Sequence, residues 1–428
     1  MKNLIGPDKI IEKKKNYLFP SSHGNHFYKN PPQIVKGDMQ YLYDNEGKKY
    51  IDFFAGVSVM NCGHCNKDIL KATIDQMQNL QHTTIIYLTE EMVNLAEKLS
   101  NILPGDIKRS FFCCTGSEAN EGAMLLARLY TGKNEFIALE NGLHGRTYLT
   151  MSATAIPMWR ADPDLSTSVH FAKNVYDENL DIEQSAKKSL ESIKDIIKNR
   201  GAENIAALIA EPIQGNGGII TPPMWYFKEL KSILEKNNIL LIIDEVQTGF
   251  ARTGKMFAIE NYDVVPDIIT MAKALGNGMP ISAFCTNDEI AKAFTKPSAS
   301  TLGGNPVSSA TALAVLDYIQ NNQLCDKSKE LGLILKEKLE KLKDKYDIIK
   351  DVRGLGLMIG VELKKSNGLP ATEETDIVLE KLKDNGLIVG KNGLGRNVLA
   401  FQPPLVITKE DIDILIYNLD KVLSEINY

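Results

Sequence analysis

The run ILLIIDE, residues 239–245, is apolar through five positions and then ends in two acids. Short, continuously apolar runs of this kind are typical of strands that are buried on both faces of a parallel sheet. Helical patterns lie between them, for example over 182–199 and 225–237. The alternation predicts an α/β protein with a mostly parallel sheet over about 90–290. The other predicted strands of this sheet are RSFFCC (109–114), EFIALE (135–140), IAALIAE (205–211), DIITMA (267–272) and ISAFCT (281–286).

The flanking segments predict two smaller parts. Residues 1–58 alternate turn residues with short runs such as QYLYD and KKYIDFF, which predicts a meander of short strands. After residue 310, helical and strand-like patterns alternate in a way that indicates a smaller α+β domain. These patterns are an amphipathic stretch (308–345), GLGLMIGVEL (354–363), a helix over 373–384, LAFQPPLVI, and a last helix over 409–424. We therefore expect an N-terminal segment (1–58) that packs with the small domain, a large domain (59–312) and a C-terminal small domain (313–428).

The composition is that of an ordinary soluble globular protein. The 428 residues are 43% hydrophobic and 24% charged, and the net charge is 49 − 54 = −5, so no basic excess favours nucleic acid as a partner. Apolar runs such as IAALIA fall far short of the roughly 18 residues of a membrane span, so no membrane association is expected. The N-terminal residues are charged and show no secretory signal, which predicts a cytoplasmic protein. Six cysteines are too sparse for a disulfide framework, so free thiols are expected.

Polar side chains follow the predicted strands at the points where the apolar runs stop. Glu211 ends one run, Asp244 ends the next, Gln247 lies three residues further on, and Lys273 follows a third run. In an open parallel sheet, ligands bind at the carboxyl ends of the strands. We therefore expect an acid, an amide and a lysine to share one rim of the sheet.

The sequence TGSE, residues 115–118, follows the strand RSFFCC and opens a helix. Thr115 and Glu118 have the spacing of a capping box, and Gly116 lets the backbone approach a ligand closely. The free N–H groups of such a helix start bind anions, and phosphate is the anion that we expect. An ordinary capped helix without a ligand is the alternative, since capping boxes are common.

Lys273 lies at the end of an apolar strand, where an amine is costly to desolvate. A buried lysine that loses its proton readily suits Schiff-base chemistry, whereas a lysine that reaches solvent from a strand end is the simpler alternative. Asp244, 29 positions earlier (273 − 244), ends another strand. A carboxylate there could keep a pyridinium nitrogen protonated, which makes the ring an electron sink.

Six segments, in this order and at these intervals, resemble the class III pyridoxal-phosphate (PLP)-dependent aminotransferases. They are CCTGSEANEGAMLLAR, HGRTYLTMSAT, EPIQGNGG, IIDEVQTGFARTG, AKALGNGMP and STLGGNP. That family includes acetylornithine, ornithine, 4-aminobutyrate and β-alanine/pyruvate aminotransferases. The resemblance runs from about residue 30 to 425. It implies the type I, aspartate-aminotransferase-like fold, a large domain with a mostly parallel sheet plus a smaller α+β domain, and transfer of an amino group to a 2-oxo acid such as pyruvate or 2-oxoglutarate.

The resemblance also implies roles for individual residues. Lys273 corresponds to the lysine that carries PLP as a Schiff base, and Asp244 to the acid on the pyridine nitrogen. Thr301 corresponds to a residue that reaches the phosphate of the partner subunit, which implies a homodimer. The remaining residues that correspond to cofactor contacts are Gly116, Ser117, Leu143, His144, Glu211, Val246 and Gln247.

The chain departs from the family pattern where substrate is bound. Many relatives have a glutamate and an arginine that form a switchable ion pair, and this chain has Asn216 and Ala400 at those positions. Both charges are absent together, as expected if either one buried alone is costly. Arg396 or Arg160 could bind a substrate carboxylate instead, and Val57 replaces a tyrosine of ornithine-type relatives. We expect an ω-aminotransferase without the usual switch, whose acceptor is a monocarboxylate such as pyruvate.

A related position also differs, because Leu143 stands where relatives carry an aromatic residue that stacks on the ring. Racemisation or elimination on the same cofactor stays open as an alternative to transamination, because the motifs do not determine which substrate bond breaks.

Two other patterns carry less weight. GFARTGK (249–255) has P-loop spacing, but Met256 replaces the Ser or Thr that would bind magnesium. Cys62, His64 and Cys65 lie close together without a second clustered pair, so no metal site is expected.

Overall fold

The computed structural model describes residues 4–23 and 27–426. All six predicted strands of the large sheet form strands, because their residues are apolar on both faces. The strands, numbered in chain order, are β1 Ile34–Asp38, β2 Tyr41–Asp44, β3 Lys49–Asp52, β4 Arg109–Cys113, β5 Glu135–Leu139, β6 Val169–Ala172, β7 Ile205–Ala210, β8 Leu240–Asp244, β9 Ile268–Met271, β10 Ser282–Thr286, β11 Ile349–Leu355, β12 Met358–Leu363, β13 Leu387–Ile388, β14 Gly390–Asn392 and β15 Val398–Phe401.

Helices alternate with these strands. The α-helices are Pro7–Tyr17, Pro20–His23, Lys67–Asn79, Glu90–Ser100, Gly116–Thr131, Tyr148–Ala153, Ile182–Arg200, Tyr226–Lys236, Asp288–Ala291, Pro306–Asn321, Leu324–Lys345, Thr372–Asp384 and Lys409–Ser424. Short 3-10 helices lie at Pro157–Trp159, Ala258–Tyr262 and Lys273–Leu275. The segment Ala55–Ser58 forms one turn in which all four residues have positive φ, and it is left-handed rather than α-helical. No helix of residues 4–23 and 27–426 combines the length and the apolar character needed to cross a bilayer.

The large sheet has seven strands in the order β4-β10-β9-β8-β7-β5-β6. The pairs β8–β9, β7–β8, β5–β7 and β5–β6 are parallel, while β10 is antiparallel to both of its neighbours. The prediction of a mostly parallel sheet is therefore confirmed. Because the parallel strands all end at one edge, the residues after β7, β8 and β9 are brought together there.

Two four-stranded sheets flank the large one. The first has the order β1-β2-β3-β13, so the predicted N-terminal meander shares a sheet with a strand from the C-terminal part. The second, β11-β12-β15-β14, belongs to the α+β part of the chain. The predicted domain boundaries stay a prediction, and the boundary between 312 and 313 lies inside the helix Pro306–Asn321.

Three predicted elements differ in detail. The N-terminal segment includes the helix Pro7–Tyr17, which has no buried residue, in addition to its strands. The amphipathic stretch 308–345, which was predicted without any division, forms two helices, because the backbone turns at Gln323, whose φ is 50°. The run GLGLMIGVEL contributes to two paired strands, β11 and β12, which turn at its second glycine.

Candidate active site

A cavity of about 360 Å³ lies at the carboxyl ends of β7, β8 and β9. Its walls come from the loops that follow these strands, from the start of the helix Gly116–Thr131, and from residues 278–281. Most of the predicted site residues line this one cavity, as the strand-end argument requires. They are Gly116, Ser117, Leu143, His144, Glu211, Asn216, Asp244, Val246, Gln247 and Lys273.

Asp244 is fixed by donors from three different parts of the chain. Its Oδ2 accepts hydrogen bonds from Asn120 Nδ2 at 2.7 Å and from His144 Nδ1 at 2.8 Å. Its Oδ1 accepts the backbone N–H of Val246 at 3.0 Å. Asn120 is itself oriented, because its Oδ1 accepts the hydroxyl of Thr270 at 2.6 Å. Donors of this kind stabilise the charged form of a carboxylate, so Asp244 is held as an acceptor in a fixed direction.

Lys273 is largely but not completely buried, and it begins the short 3-10 helix Lys273–Leu275, two residues after the end of β9. Burial lowers the pKa of Lys273 below its ordinary value, while the carboxylates of Asp244 and Glu211 act in the opposite direction. Its φ is 44°, a backbone conformation that a residue without a glycine's freedom adopts at a cost. The lysine is thus an amine that loses its proton more easily than one on the surface.

Glu211 connects two loops of the cavity wall. Its Oε1 accepts the N–H of Leu143 at 2.9 Å, and its Oε2 accepts the N–H of Gly215 at 3.1 Å. Burial raises the pKa of Glu211 to about 7, and the neighbouring Asp244 acts in the same direction while His144 opposes it. The carboxyl group of Glu211 therefore holds the loop that contains Leu143 close to the loop that contains Asn216.

The predicted capping box is present at the start of the helix Gly116–Thr131. The hydroxyl of Thr115 accepts the N–H of Glu118 at 3.2 Å, and Glu118 Oε2 accepts the N–H of Thr115 at 2.8 Å. The loop across from it is held close, since Ser117 Oγ accepts the N–H of Arg146 at 3.0 Å. The N-terminus of this helix therefore faces the cavity with its backbone donors available.

Some predicted residues lie outside this cavity. Thr301 is exposed and lines a separate surface groove with residues 82–93. Val57 lies in the left-handed turn, and it is Val59, two residues on, that lines the cavity. Ala400 is fully buried in a small apolar cluster behind the wall.

Neither arginine that the sequence suggested for a substrate carboxylate reaches the cavity wall. The guanidinium of Arg396 lies 5.2 Å from the centre of the Phe27 ring. Arg160 donates to the carbonyl oxygens of Ser152 at 3.2 Å and Thr154 at 2.5 Å, so its charge is used within its own loop. The proposal of these two residues as carboxylate ligands is therefore withdrawn.

Two residues that the sequence analysis did not single out belong to the site. Arg146 lines the cavity and is exposed, and Asn120 lines it and holds Asp244. Both occur inside motifs that were recognised, HGRTYLT and TGSEANEG. The sequence did contain a signal for each of them. Asn120 lies one helical turn after Gly116 and Ser117, on the same face of the helix, and Arg146 lies three residues after Leu143 in the same loop.

Residues of the two other patterns make contacts within the protein. Residues 249–254 form turns, and Arg252 within them is fully buried and donates to the carbonyl oxygens of Leu357 at 2.8 Å and Pro403 at 2.6 Å. A loop occupied in this way is no phosphate cradle. His64 pairs with Asp52 at 2.7 Å, and no group of three potential metal ligands occurs in the described part of the chain.

The cavity residues fit the PLP that the motifs imply. Gln247 Nε2 and His144 Nε2 are buried and have no hydrogen-bond partner among residues 4–23 and 27–426, although both side chains line the cavity. At the helix start, a Cβ on Gly145 would lie 2.6 Å from Ser117 Oγ, so only glycine leaves this wall open. An acid for the ring nitrogen, an amine for the aldehyde and a helix start for the phosphate are thus all present around one space.

Sequence comparison gives the family directly. The family model "Aminotransferase class-III" matches residues 23–423. The chain is 42% identical to the mitochondrial alanine–glyoxylate aminotransferase 2 homolog 2 of Arabidopsis thaliana, covering 98% of this chain and 88% of that protein. It is 41% identical to the acetylornithine aminotransferase of Methanocaldococcus jannaschii (92% and 94% covered). It is also 40% identical to the leucine/methionine racemase of Thermococcus litoralis (92% and 91% covered).

Solved structures agree with this result. A transaminase from the marine bacterium Virgibacillus superposes with a TM-score of 0.91 at 31% identity, with 97% of this chain and 98% of that chain covered. A PLP-bound amine transaminase from an uncultivated Pseudomonas species gives a TM-score of 0.89 at 28% identity, with 96% and 98% covered. Together with the cavity described above, these matches show that the chain belongs to the class III aminotransferases, PLP-dependent enzymes that move an amino group from a donor to a 2-oxo acid.

Proposed function

We propose that Lys273 is the residue that carries PLP, as a Schiff base, and that it afterwards moves the proton at the substrate carbon. The observation that carries this proposal is a largely buried lysine with a lowered pKa that lines the same cavity as Asp244. An amine must be neutral to attack an aldehyde, and burial favours the neutral form. When bound, PLP supplies an electron sink for the bond that breaks.

Asp244 acts on the ring nitrogen in this proposal. Its three protein donors, from Asn120, His144 and Val246, hold the carboxylate pointed in one direction. A charged acceptor holds a proton on a ring nitrogen, and that proton increases the ring's capacity to accept electrons. The free amide of Gln247 would donate a hydrogen bond to the bound cofactor, and the start of the helix Gly116–Thr131 would hold its phosphate.

The carboxylate of the substrate goes to Arg146. Among the described residues that line the cavity, Arg146 and Lys273 are the only lysine or arginine side chains, and the lysine is committed to the cofactor. A guanidinium binds a carboxylate through two parallel hydrogen bonds. One arginine suits one carboxylate, which supports a monocarboxylate acceptor such as pyruvate over the dicarboxylate 2-oxoglutarate.

The acceptor preference is tested by comparing kcat/KM for pyruvate and for 2-oxoglutarate with one amino donor. We expect pyruvate to be preferred by at least about tenfold, since a second buried carboxylate would find no further lysine or arginine among the described residues that line the cavity. Comparable turnover of both acceptors at similar affinity would contradict the assignment of Arg146 as the single carboxylate ligand.

We also propose a homodimer in which Thr301 serves the partner's phosphate site. Thr301 is exposed and lines a groove with the loop that contains Ile85, Ile86, Tyr87 and Leu88. Leu88 is fully exposed and Ile86 is 80% exposed, and an apolar surface of this kind marks an interface. Sedimentation of the purified enzyme should give a dimer, and a monomer with full activity would contradict the proposal. A cytoplasmic location stays a prediction.

Racemisation is the second candidate, because one relative is a leucine/methionine racemase at 40% identity. Both reactions begin with removal of a proton from the substrate carbon, and they differ in where a proton returns. Incubation of one enantiomer of an amino acid without a keto acid separates them. Inversion without an acceptor supports racemisation, and release of ammonia without an acceptor indicates elimination, the other alternative on the same cofactor. Stoichiometric transfer to an added keto acid supports transamination.

A further inference from the structure

Asn216 lies in a turn whose two ends are joined by backbone hydrogen bonds. Gln214 and Ile220 exchange backbone hydrogen bonds, at 3.0 Å and 3.2 Å, so that residues 215–218 form the tip of a hairpin-like loop. Asn216 lies in this tip and is one of the residues that line the cavity. The position of Asn216 in the cavity therefore depends on what holds the tip in place.

Three donors from the C-terminal part of the chain hold the tip. Asn392 Nδ2 donates to the carbonyl oxygen of Gly215 at 3.0 Å, and the N–H of Gly393 donates to that of Asn216 at 3.0 Å. Arg353 Nε donates to the carbonyl oxygen of Gly218 at 2.9 Å. Three of the four carbonyl groups of the tip are thus bound by residues far away in sequence, and none of these donors lines the cavity.

Arg353 is itself held firmly. Its Nη1 donates to Asp351 at 2.9 Å and to Glu362 at 2.7 Å, and its guanidinium lies 4.9 Å from the centre of the Tyr176 ring. The Tyr176 hydroxyl donates to Glu362 at 2.7 Å. Arg353 and its acidic partners are thereby connected to the part of the chain that contains the large sheet. A guanidinium with this many partners has little freedom, so it can fix the carbonyl of Gly218.

The backbone at the tip has no room to adjust. Gly218 has a φ of 118°, and a Cβ there would lie 3.2 Å from Arg353 Nη2 and 3.3 Å from the Cα of Gly393. On the other side, the N–H of Gly215 is bound by Glu211 at 3.1 Å. The tip is therefore enclosed between the cavity wall and the C-terminal sheet.

We propose that Asn392 and Arg353 are positioning residues for the substrate site, which act by holding the turn 215–218 so that Asn216 faces the substrate. The proposal rests on the proposed function, because it takes the cavity to be the place where donor and acceptor bind. Neither residue contacts Lys273 or Asp244 within the described chain, so their effect belongs to substrate binding and not to the proton transfer.

A pair of asparagines in the C-terminal part of the chain, Asn392 in β14 and Asn397 just before β15, provides the test. Asn392 and Asn397 are 3% and 4% exposed, and each donates its Nδ2 to a backbone carbonyl. Asn397 differs because its acceptor, Leu363 at 2.7 Å, lies within the C-terminal sheet. We expect Asn392→Ala to raise KM for the keto acid about tenfold with kcat changed less than about twofold, and Asn397→Ala to leave KM unchanged.

A double-mutant cycle shows whether the effect passes through Asn216. Asn216→Ala and Asn392→Ala should each raise KM, and the double variant should show no further rise, because residues that act through one another are not additive. Additive effects, an unchanged KM in Asn392→Ala, or an equal rise in Asn397→Ala would overturn the proposal. If Asn392→Ala does not fold, Arg353→Lys replaces it in this test. This variant keeps the charge near Glu362 but lacks the Nε donor.

Hydrogen–deuterium exchange of the holoenzyme measures how firmly the turn is held, independently of enzymatic activity. In Asn392→Ala we expect the amides of residues 214–220 to exchange at least about tenfold faster than in wild type, since one of the bonds holding them is lost. Unchanged exchange in that segment would overturn the proposal. If the wild-type enzyme transferred no amino group, the proposed function would fail, and the exchange result would still decide whether Asn392 holds the turn.

Discussion

At the scale of single residues, Asp244 illustrates how a buried carboxyl group finds hydrogen-bond partners inside a protein. The carboxylate is 3% exposed, yet three donors satisfy it, and one of these donors is oriented by a further hydrogen bond from Thr270. A buried carboxylate without such partners would tend to take up a proton. The network is therefore a condition for the role that we propose for Asp244.

Asp244→Ala is expected to lower kcat at least about a hundredfold, because the charge that stabilises the transition state is lost. The protein should still fold, although the three unpaired donors will cost some stability. Asp267→Ala is the control, since Asp267 also accepts a backbone N–H, from Leu241 at 2.7 Å, but lies away from the cavity. Steady-state kinetics on both variants decide the point, and near-full activity of Asp244→Ala would refute the electron-sink role.

Arg146→Gln is expected to reduce kcat/KM for a keto acid by about tenfold to a hundredfold, because hydrogen bonds to charged groups contribute about 1.5–3 kcal/mol each. The loss should appear mainly in KM. Arg396→Gln is the matched control, as its guanidinium lies over Phe27 and outside the cavity. If the two variants lost the same amount, or if Arg396→Gln alone raised KM, Arg146 would not be the carboxylate ligand.

A site residue could be predicted from the sequence where its position at the end of a strand is enough to place it in the fold. Asp244 and Lys273 end or follow buried strands, so their place at one edge of the sheet follows from the fold. Arg146 could not be assigned in this way, because it lies in a loop whose direction depends on the bond between its N–H and Ser117. Arg396 failed for the same reason, since its stacking on Phe27 involves two segments that are distant in sequence.

At the scale of elements, two helices begin with the same kind of cap and only one of them faces the cavity. Thr115 caps the helix Gly116–Thr131 with Glu118, and Thr408 caps the helix Lys409–Ser424 with Asp411. A threonine cap contributes about 1 kcal/mol to stability in either place. The comparison of the two separates stability from cofactor binding.

Thr115→Ala is expected to lower the affinity for PLP about fivefold to tenfold as well as the stability, because the cap also orders the donors for the phosphate. Thr408→Ala should lower stability by a similar amount, about 1 kcal/mol, and leave PLP affinity unchanged. Titration of the cofactor-free variants with PLP measures the affinities, and urea unfolding measures the stabilities. Equal affinities in the two variants would show that the helix start does not bind the phosphate.

The elements themselves were predictable where their apolar pattern is long and continuous, as in β7 and β8. β6 was not predicted, because Val169–Ala172 has four residues and only two of them are buried. The break near Gln323 escaped as well, since a polar residue at positive φ carries no distinctive pattern. In each case the deciding interaction is tertiary and lies outside the window that a sequence pattern covers.

At the scale of the whole molecule, buried carboxyl groups link stability to pH. Glu245 is fully buried, and burial raises its pKa to about 7, with Glu260 nearby acting in the same direction. A folded-state pKa above the unfolded value of 4.5 means that the favourable contribution is complete below pH 4.5 and is lost as the pH rises through 7.

Relative to Glu245→Gln, the wild-type free energy of unfolding should therefore fall as the pH rises from 4.5 to 7 and level off above it. The total difference is on the order of 3 kcal/mol. Urea unfolding of the two proteins at several pH values measures it, with Glu229→Gln, on an exposed helix position, as the variant that should parallel wild type. A constant gap between wild type and Glu245→Gln would contradict the assigned pKa.

The central claim concerns one bond between the Lys273 side chain and PLP, and its most direct measurement is reduction with borohydride followed by mass mapping of the peptides. We predict that the reduced cofactor is found on the peptide that contains Lys273, and that Lys273→Ala yields no labelled peptide. A cofactor fixed to a different lysine, or no fixed cofactor in the wild-type holoenzyme, would contradict the account.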